Sequence, residues 1–282
     1  LEEKRYALKV FYLGTNYYGF QRQLDVPTIE GELMKAFKEE SLINDNFKYT
    51  AASRTDRGAH AIGQTIAFTV TKMINLDRLN DKLPSDIILW AYSEVPLKFN
   101  ARREAIYRHY KYVIRDPGIN IHKAREALEK IIGVHNFKNL CYKANKTTIR
   151  RIFVANVNRT EDGFLLFDFY GASFARGLIR KTVSAVMDVG LDEMSLEEFE
   201  KLLDPTYVPP KGIMPAPAEN LFLVDAFYQL PFEINYQAVK NIREILEKNI
   251  HKNALFRFIL SEFEKNYLRL LEIKGTLNYN KL

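Results

Sequence analysis

Apolar and polar positions along this chain follow two periods, one near two residues and one near 3.6. Ala61 to Val70 alternates in the short period, and Arg5 to Leu13, Phe47 to Arg54 and Asp86 to Val95 share its strand character, so four strands are predicted. Between them, Pro27-Thr28 opens a helix with Thr28 as cap and Ile29, Leu33 and Phe37 on one face, and Leu76 to Leu83 reads as a shorter helix. That order is β-α-β-β-α-β, the ferredoxin-like sequence of elements. The second half repeats the order without repeating residues. Tyr107 to Arg115 is strand-like and Pro117-Gly118 breaks it. Ile121 to Ile132 is helical, and Thr148 to Asn158 with Gly163 to Tyr170 reads as a hairpin about Glu161-Asp162-Gly163. Phe174 to Val189 follows as a helix with Leu178, Thr182, Ala185 and Val189 inward, then a helix over Leu196 to Leu203 and a strand over Leu221 to Tyr228.

The expectation is an α+β fold of two ferredoxin-like (RRM-like) halves, 1–104 and 105–230. Together they would form one continuous, largely antiparallel sheet with helices on one side and a central cleft. The Pro-rich run Pro205 to Pro217 reads as an ordered loop. After Pro231 the period becomes helical over Ile234 to Ile250 and Leu255 to Ile273, with Ala238, Ile242, Ile245 and Leu246 on one face. This extension, 231–282, fits a docked helical pair, a dimer contact or an RNA-contacting arm equally well.

A chain of 282 residues is ample for two compact halves. No window approaches the roughly 18–20 apolar residues that span a bilayer, and Leu1 to Arg5 carries no secretory pattern, so a cytoplasmic protein with no membrane partner is expected. One cysteine, Cys141, leaves no internal disulfide and no Cys-rich zinc site. The net charge of +6 and the pI near 9.1 favour a polyanionic partner only weakly. Distribution says more. Lys130, Lys138, Lys143, Lys146, Arg150, Arg151 and Arg159 lie between Glu129 and Glu161 with no acidic residue among them, and Phe137, Tyr142 and Phe153 are interleaved. A second acid-free run, Gly171 to Met187, holds Arg176, Arg180 and Lys181. Such runs suit a surface that tracks phosphates and stacks unpaired bases, or a solvated face over core aromatics.

The densest candidate chemistry is Ala51-Ala-Ser-Arg-Thr-Asp-Arg-Gly-Ala-His60. Asp56 stands between Arg54 and Arg57, and guanidinium groups within roughly 4–6 Å lower an Asp pKa by about 1–3 units. Gly58 permits a turn that brings the carboxylate to a surface. A salt-bridged surface turn has the same composition. No Gly-rich phosphate loop is present, and histidines 60, 109, 122, 135 and 251 have no metal-type spacing, so no cofactor and no metal are signalled. His60 and His109 read as packing or hydrogen-bonding residues.

Six segments, in order over about residues 6 to 228, resemble the tRNA pseudouridine synthase A family. The Asp56 loop resembles its G-R-T-D-x-G-V-H pattern. Tyr12-Leu-Gly-Thr-Asn-Tyr-Tyr-Gly-Phe-Gln-Arg-Gln23 resembles Y-D-G-x-x-Y-x-G-[WF]-Q, and Gly63-Gln64 matches G-Q. Phe99-Asn-Ala-Arg102 with Tyr107-Arg-His-Tyr-Lys-Tyr112 is similar to F-[HN]-A-R and R-x-Y-x-Y. Phe174 to Val183 is similar to F-[LV]-x-x-M-[VI]-R, and Pro217-Ala-Glu-Asn-Leu-Phe-Leu223 to A-P-A-x-G-L-x-L. Three positions depart from the pattern. Ser53 and Ala59 replace Gly and Val, and Asn220 replaces Gly, as a residue still able to take a left-handed turn.

The resemblance implies an isomerase that turns tRNA uridine into pseudouridine in the anticodon arm, at positions 38, 39 and 40, without a cofactor and as a homodimer. It implies Asp56 as the carboxylate acting at the ribose and Arg180 as its cationic partner. Tyr110 would stack on the flipped uracil and relay the C5 proton, and Arg54 would fill the vacated stack. Arg102 and Gln21 to Gln23 would contact phosphates or loops. Two other readings compete. One is a non-catalytic RNA-binding protein of two RRM-like halves, in which Gly163-Phe-Leu-Leu-Phe-Asp-Phe-Tyr170 would be the aromatic strand. The other is a metal-dependent nuclease, which lacks a second carboxylate near Asp56.

Overall fold

The computed structural model describes residues 2–43, 47–142, 147–250 and 253–273. In chain order the elements are β1 (Lys4–Tyr12), α1 (Ile29–Glu39), β2 (Tyr49–Ala51), β3 (His60–Val70), α2 (Leu76–Asp81) and β4 (Ile87–Val95). Then come β5 (Tyr107–Arg115), α3 (Ile121–Lys130), β6 (Gly133–Asn136), β7 (Ile149–Arg159), β8 (Phe164–Gly171), α4 (Leu178–Gly190) and α5 (Leu196–Lys201). The last elements are β9 (Leu221–Phe227), β10 (Glu233–Ile234), α6 (Tyr236–Ile250) and α7 (Leu255–Ile273). It is a mixed α+β fold. The chain folds into two compact units, residues 1–106 with 222–282, and residues 107–221.

In the first unit the strands run β10-β4-β1-β3-β9, and β2 also pairs with β3. β3 is the centre of this sheet, buried along its whole length. β1 lies antiparallel to it, from Lys4 opposite Val70 to Tyr12 opposite Ala61. β2 pairs with its far end, and β9 pairs parallel with its first residues, His60 opposite Phe222. α1 is started as the sequence predicts, with the Thr28 hydroxyl accepting from the Gly31 amide at 3.2 Å and Glu30 and Glu32 in the positive first turn. The two C-terminal helices belong to this unit. Ala238, Ile242 and Leu246 of α6 are buried, and α7 packs against the sheet with Phe263 edge-on to Trp90. They form a docked pair.

In the second unit β5-β8-β7-β6 are all antiparallel neighbours. α3 and α4 cover one face of it, where Tyr112, Phe167 and Phe169 are buried, and Leu178, Thr182, Ala185 and Val189 are buried on α4 as expected. Three expectations need correction. α4 starts at Leu178 and not at Phe174, because Gly177 sits at φ +80, where the helix cannot run, and its bare Cα is packed on the Tyr142 ring. β6 carries too few alternating residues to be legible. Asn220 is not left-handed: among the described non-glycine residues only Asp25, Ser41 and Asp192 have positive φ, and Asn220 ends a short 3-10 turn.

Candidate active site

The Asp56 loop is built by the segment that leaves β1. After Tyr12 the chain makes a 3-10 turn over Gly14–Asn16 and lies directly on residues 54–60. A Cβ on Gly14 would run into the Ala59 carbonyl, and one on Gly19, at φ +99, would sit 3.1 Å from the Thr55 carbonyl. Both glycines are therefore required by backbone-to-backbone approach. Hydrogen bonds close the contact. The Phe20 amide donates to Thr55 O at 3.1 Å and the Gly58 amide to Tyr17 O at 3.4 Å, while the Ala59 amide turns back to Asp56 O at 3.2 Å. The buried Tyr12 and Thr55 hydroxyls meet at 2.7 Å. Gly58, at φ +85, makes the turn for which the sequence reserves it.

Gln64 holds the other end. Its side chain is fully buried and pairs with Ser53 as a peptide would, donating to Ser53 O at 2.8 Å and accepting from Ser53 N at 3.2 Å. The β2–β3 ladder therefore continues to within three residues of Asp56, although regular strand ends at Ala51 and not at Arg54 as expected. In this frame Thr55 is buried, Asp56 half-buried, and Arg54 and Arg57 exposed. The Arg57 guanidinium lies 4.0 Å over the Tyr18 ring.

The second unit carries the other expected residues. Tyr110, on β5, is 4% exposed and meets Phe174 edge-on at 5.3 Å. Arg180, in the first turn of α4, is half-buried. Its Nε donates to Ala216 O at 2.6 Å, and the Ala216 amide donates back to Arg180 O at 3.1 Å. The Pro-rich segment thus fixes the direction of the guanidinium. Tyr112, next on the same face as Tyr110, has its hydroxyl pushed up to about 12, mainly by burial, with Asn220 and Arg180 pulling the other way.

His60 accepts the Gly14 amide at Nδ1, 3.1 Å away. His109 meets Asp168 at 2.5 Å and stacks on Tyr170 with ring centroids 4.0 Å apart. Burial would raise the Asp168 carboxyl, but His109 and Lys111 hold it below its ordinary value. Both histidines are structural hydrogen-bonding residues in this sense. Arg102 and Gln21 to Gln23 are exposed; the Arg102 amide donates to Asn100 Oδ1, and Gln23 donates to Tyr18 O.

The basic stretch is only partly a surface. Lys130 pairs with Glu200 and Arg159 with Asp116, acidic residues from outside the stretch, and Phe137 is core. Cations that stand by aromatic rings are fewer: Arg151 over Phe153 at 5.6 Å, and Arg176 and Lys181 by Tyr142 at 5.4 and 5.6 Å. Lys143, Lys146 and His251 lie outside the described residues. Among the described residues no three of His, Cys, Asp and Glu gather as a metal site would need, and no helix is long and apolar enough to cross a membrane.

Reasoning from sequence did not pick out Tyr12, Thr55 or Gln64 as loop-holding residues, nor Arg5. The buried Arg5 donates to Phe99 O at 2.7 Å and to Thr69 Oγ1 at 2.8 Å, and so carries the Phe99-Asn-Ala-Arg turn. The signal available was a buried-strand pattern interrupted by polar residues, at Arg5, Lys9 and Gln64.

A family model described as tRNA pseudouridine synthase matches residues 127–229. A protein of Methanosphaera stadtmanae named tRNA pseudouridine synthase A is 34% identical over 280 residues, 96% of this chain and 98% of its own length. One of the same name from Methanosarcina mazei is 36% identical over 267 residues, 93% of this chain and 98% of its own. A solved structure of the archaeal box H/ACA sRNP Nop10-Cbf5 complex aligns over 90% of this chain and 58% of that chain. It is 12% identical with a TM-score of 0.36, too low to bear on the fold.

Proposed function

The chain belongs to the tRNA pseudouridine synthase A family, and from that premise we propose that it isomerises uridine to pseudouridine in the anticodon arm of tRNA, with Asp56 as the group acting at the ribose. The supporting observation is the construction of residues 51–60. A half-buried carboxylate stands on a loop whose backbone is hydrogen-bonded on both sides and packed on two glycines that admit no side chain. Such rigidity is what orientation of a reacting group requires.

The reaction breaks the N1–C1′ bond, turns the uracil and joins C5 to C1′. The C5 proton leaves and N1 ends protonated, so atoms balance with no redox change. Asp56 either attacks C1′ or removes the 2′-proton. Arg180, its direction fixed by Ala216, compensates the carboxylate charge. Tyr110 supplies a face for the flipped base, and its hydroxyl carries the C5 proton. Arg54, exposed two residues from Asp56, fills the space the base leaves. Each half is read as ferredoxin-like. Support comes from the first, where β4-β1-β3-β2 is the spatial order of the β-α-β-β-α-β elements. The working form is a homodimer, tested by light scattering with and without tRNA.

One assay tests the function. tRNA transcripts labelled with tritium at uridine C5 are incubated with the protein, with and without added divalent metal, and the products are mapped. Tritium release from intact RNA at positions 38, 39 or 40 is the expected result. Metal-dependent cutting would make the protein a nuclease, and binding without release would make it a non-catalytic RNA-binding module. The last reading has one structural point against it, because Phe167 and Phe169, the aromatics it needs on the surface, are buried.

A further inference from the structure

The C-terminal helix α7 packs on β3, β4 and β9, and its first turn reaches His60, at the end of the Asp56 loop. Phe256 meets the His60 ring edge-on, with centroids 6.0 Å apart. Phe263 meets Trp90, whose Nε1 donates to Ile62 O at 2.9 Å. Asn266 donates to Val224 O at 3.1 Å, and Arg269 pairs with Asp225. Asp225 is in turn held by the buried Lys9 at 2.6 Å. Gly63 is the notch in β3 that lets this group close. A Cβ there would overlap the Asp225 carboxylate and lie 3.0 Å from Asn266 Nδ2.

His60 is where the helix reaches the loop. One side of its ring is packed by Phe256, and Nδ1 accepts the amide of Gly14, whose backbone lies against Ala59. His60 is 2% exposed, so the ring cannot turn aside without moving one neighbour or the other. A shift of Phe256 is thereby passed to Gly14, and from Gly14 to the backbone that carries Asp56.

We propose that α7 is a strut for the catalytic loop, and that His60, clamped between Phe256 and the Gly14 amide, is the positioning residue through which it acts. The proposal rests on Asp56 being the reacting group. It gives the C-terminal extension a part in the chemical step that its distance along the sequence does not suggest.

The test uses the full chain, an unmodified tRNA transcript, and four variants: Phe256→Ala, His60→Phe, His60→Asn and Arg243→Ala. His60→Phe keeps a ring against Phe256 and loses the acceptor, whereas His60→Asn keeps an acceptor near the place of Nδ1. Arg243 of α6 pairs with Glu264 of α7, away from His60 and the loop, and so controls for simple loosening of the extension. Displacement of a reacting group by about 1 Å costs about 100-fold. The single-turnover rate should therefore fall about 10- to 100-fold in Phe256→Ala and in His60→Phe, with tRNA KM within about threefold of the parent. Activity should be largely restored in His60→Asn and unchanged in Arg243→Ala.

Amide hydrogen exchange is read on the same proteins without substrate. Gly14 and residues 54–60 should exchange faster in Phe256→Ala and not in Arg243→Ala. Parental rates and parental loop exchange in Phe256→Ala and His60→Phe would overturn the strut. So would rate losses that simply follow the melting temperature across all four variants. Turnover surviving in Asp56→Ala would instead overturn the reading of the active site, and the exchange result would still show whether α7 holds the loop.

Discussion

Asp56 has two cations beside it in sequence, and Asp225 has two brought to it from distant segments. Arg54 and Arg57 flank Asp56 along the chain, yet Arg54 is exposed and Arg57 lies over Tyr18. The cations of Asp225 are Lys9 and Arg269, 216 and 44 residues away, and both of its oxygens are engaged. Lys9 is wholly buried, which pulls its pKa down and makes Asp225 its necessary counter-charge. The difference is between a carboxylate buried in the core against partners from distant segments and one half-buried on a turn with its neighbouring cations beside it in sequence. Asp225 closes the core, whereas Asp56 sits on a loop held by backbone bonds and by the Tyr12–Thr55 and Gln64–Ser53 contacts.

The largest effect that bears on this comparison is the loss of catalysis in Asp56→Ala. Turnover should fall by about 10⁴-fold or more, about 5 kcal/mol on the barrier. Stability in urea should stay within about 0.5 kcal/mol of the parent, as for a substitution outside the core. Destabilisation by several kcal/mol would place Asp56 in the same class as Asp225. Asp225→Ala should do the reverse. It leaves Lys9 and Arg269 without their shared carboxylate, a loss of about 3–5 kcal/mol in urea unfolding. A loss below about 1 kcal/mol would show that the buried cluster is dispensable, and the contrast would fail from the other side.

Arg180→Ala and Arg54→Ala separate the two cationic roles proposed for the reaction. Arg180→Ala should slow the single-turnover rate by about 100-fold, near 3 kcal/mol, and a tRNA whose target uridine is already unpaired should not restore it. Arg54→Ala should lose less and be partly rescued by that tRNA, because flipping the base costs only a few kcal/mol. Equal rescue of both would mean the two roles are exchanged or absent. The smallest effect is at Tyr110. Tyr110→Ala should lose the roughly 1–3 kcal/mol that a stacked base contributes. Tyr110→Phe should keep that and show a larger C5 isotope effect, from slower departure of the proton. A full rate in both variants would leave Tyr110 as a core residue packed on Phe174.

Much of the first unit was legible because its signals are local. Thr28 caps α1, the alternation over 61–70 becomes the buried β3, and Gly58 turns the loop. The start of α4 is not legible in the sequence, because Gly177 resembles any other small residue until its φ and the Tyr142 ring against it are known. The basic stretch is narrower in space than in sequence for a similar reason. Glu200 and Asp116 reach Lys130 and Arg159 across the second unit's own fold, so a run without acids in sequence is not a run without acids in space.

At the site the division is sharper. The residue types and spacing of Arg54-Thr-Asp-Arg-Gly58, together with the five other segments, were enough to name the family and to nominate Asp56, because chemistry at one atom demands particular side chains in a fixed local order. Sequence could not say what holds that order rigid. Gln64 imitating a peptide at Ser53, the Tyr12–Thr55 hydroxyl pair, the bare faces of Gly14 and Gly19, and the Phe256–His60 contact join positions from 11 to nearly 200 residues apart. Local propensity carries no record of partners at such separations. Only the closing of the tertiary structure, which must satisfy every buried polar group and fill every gap at once, selects them.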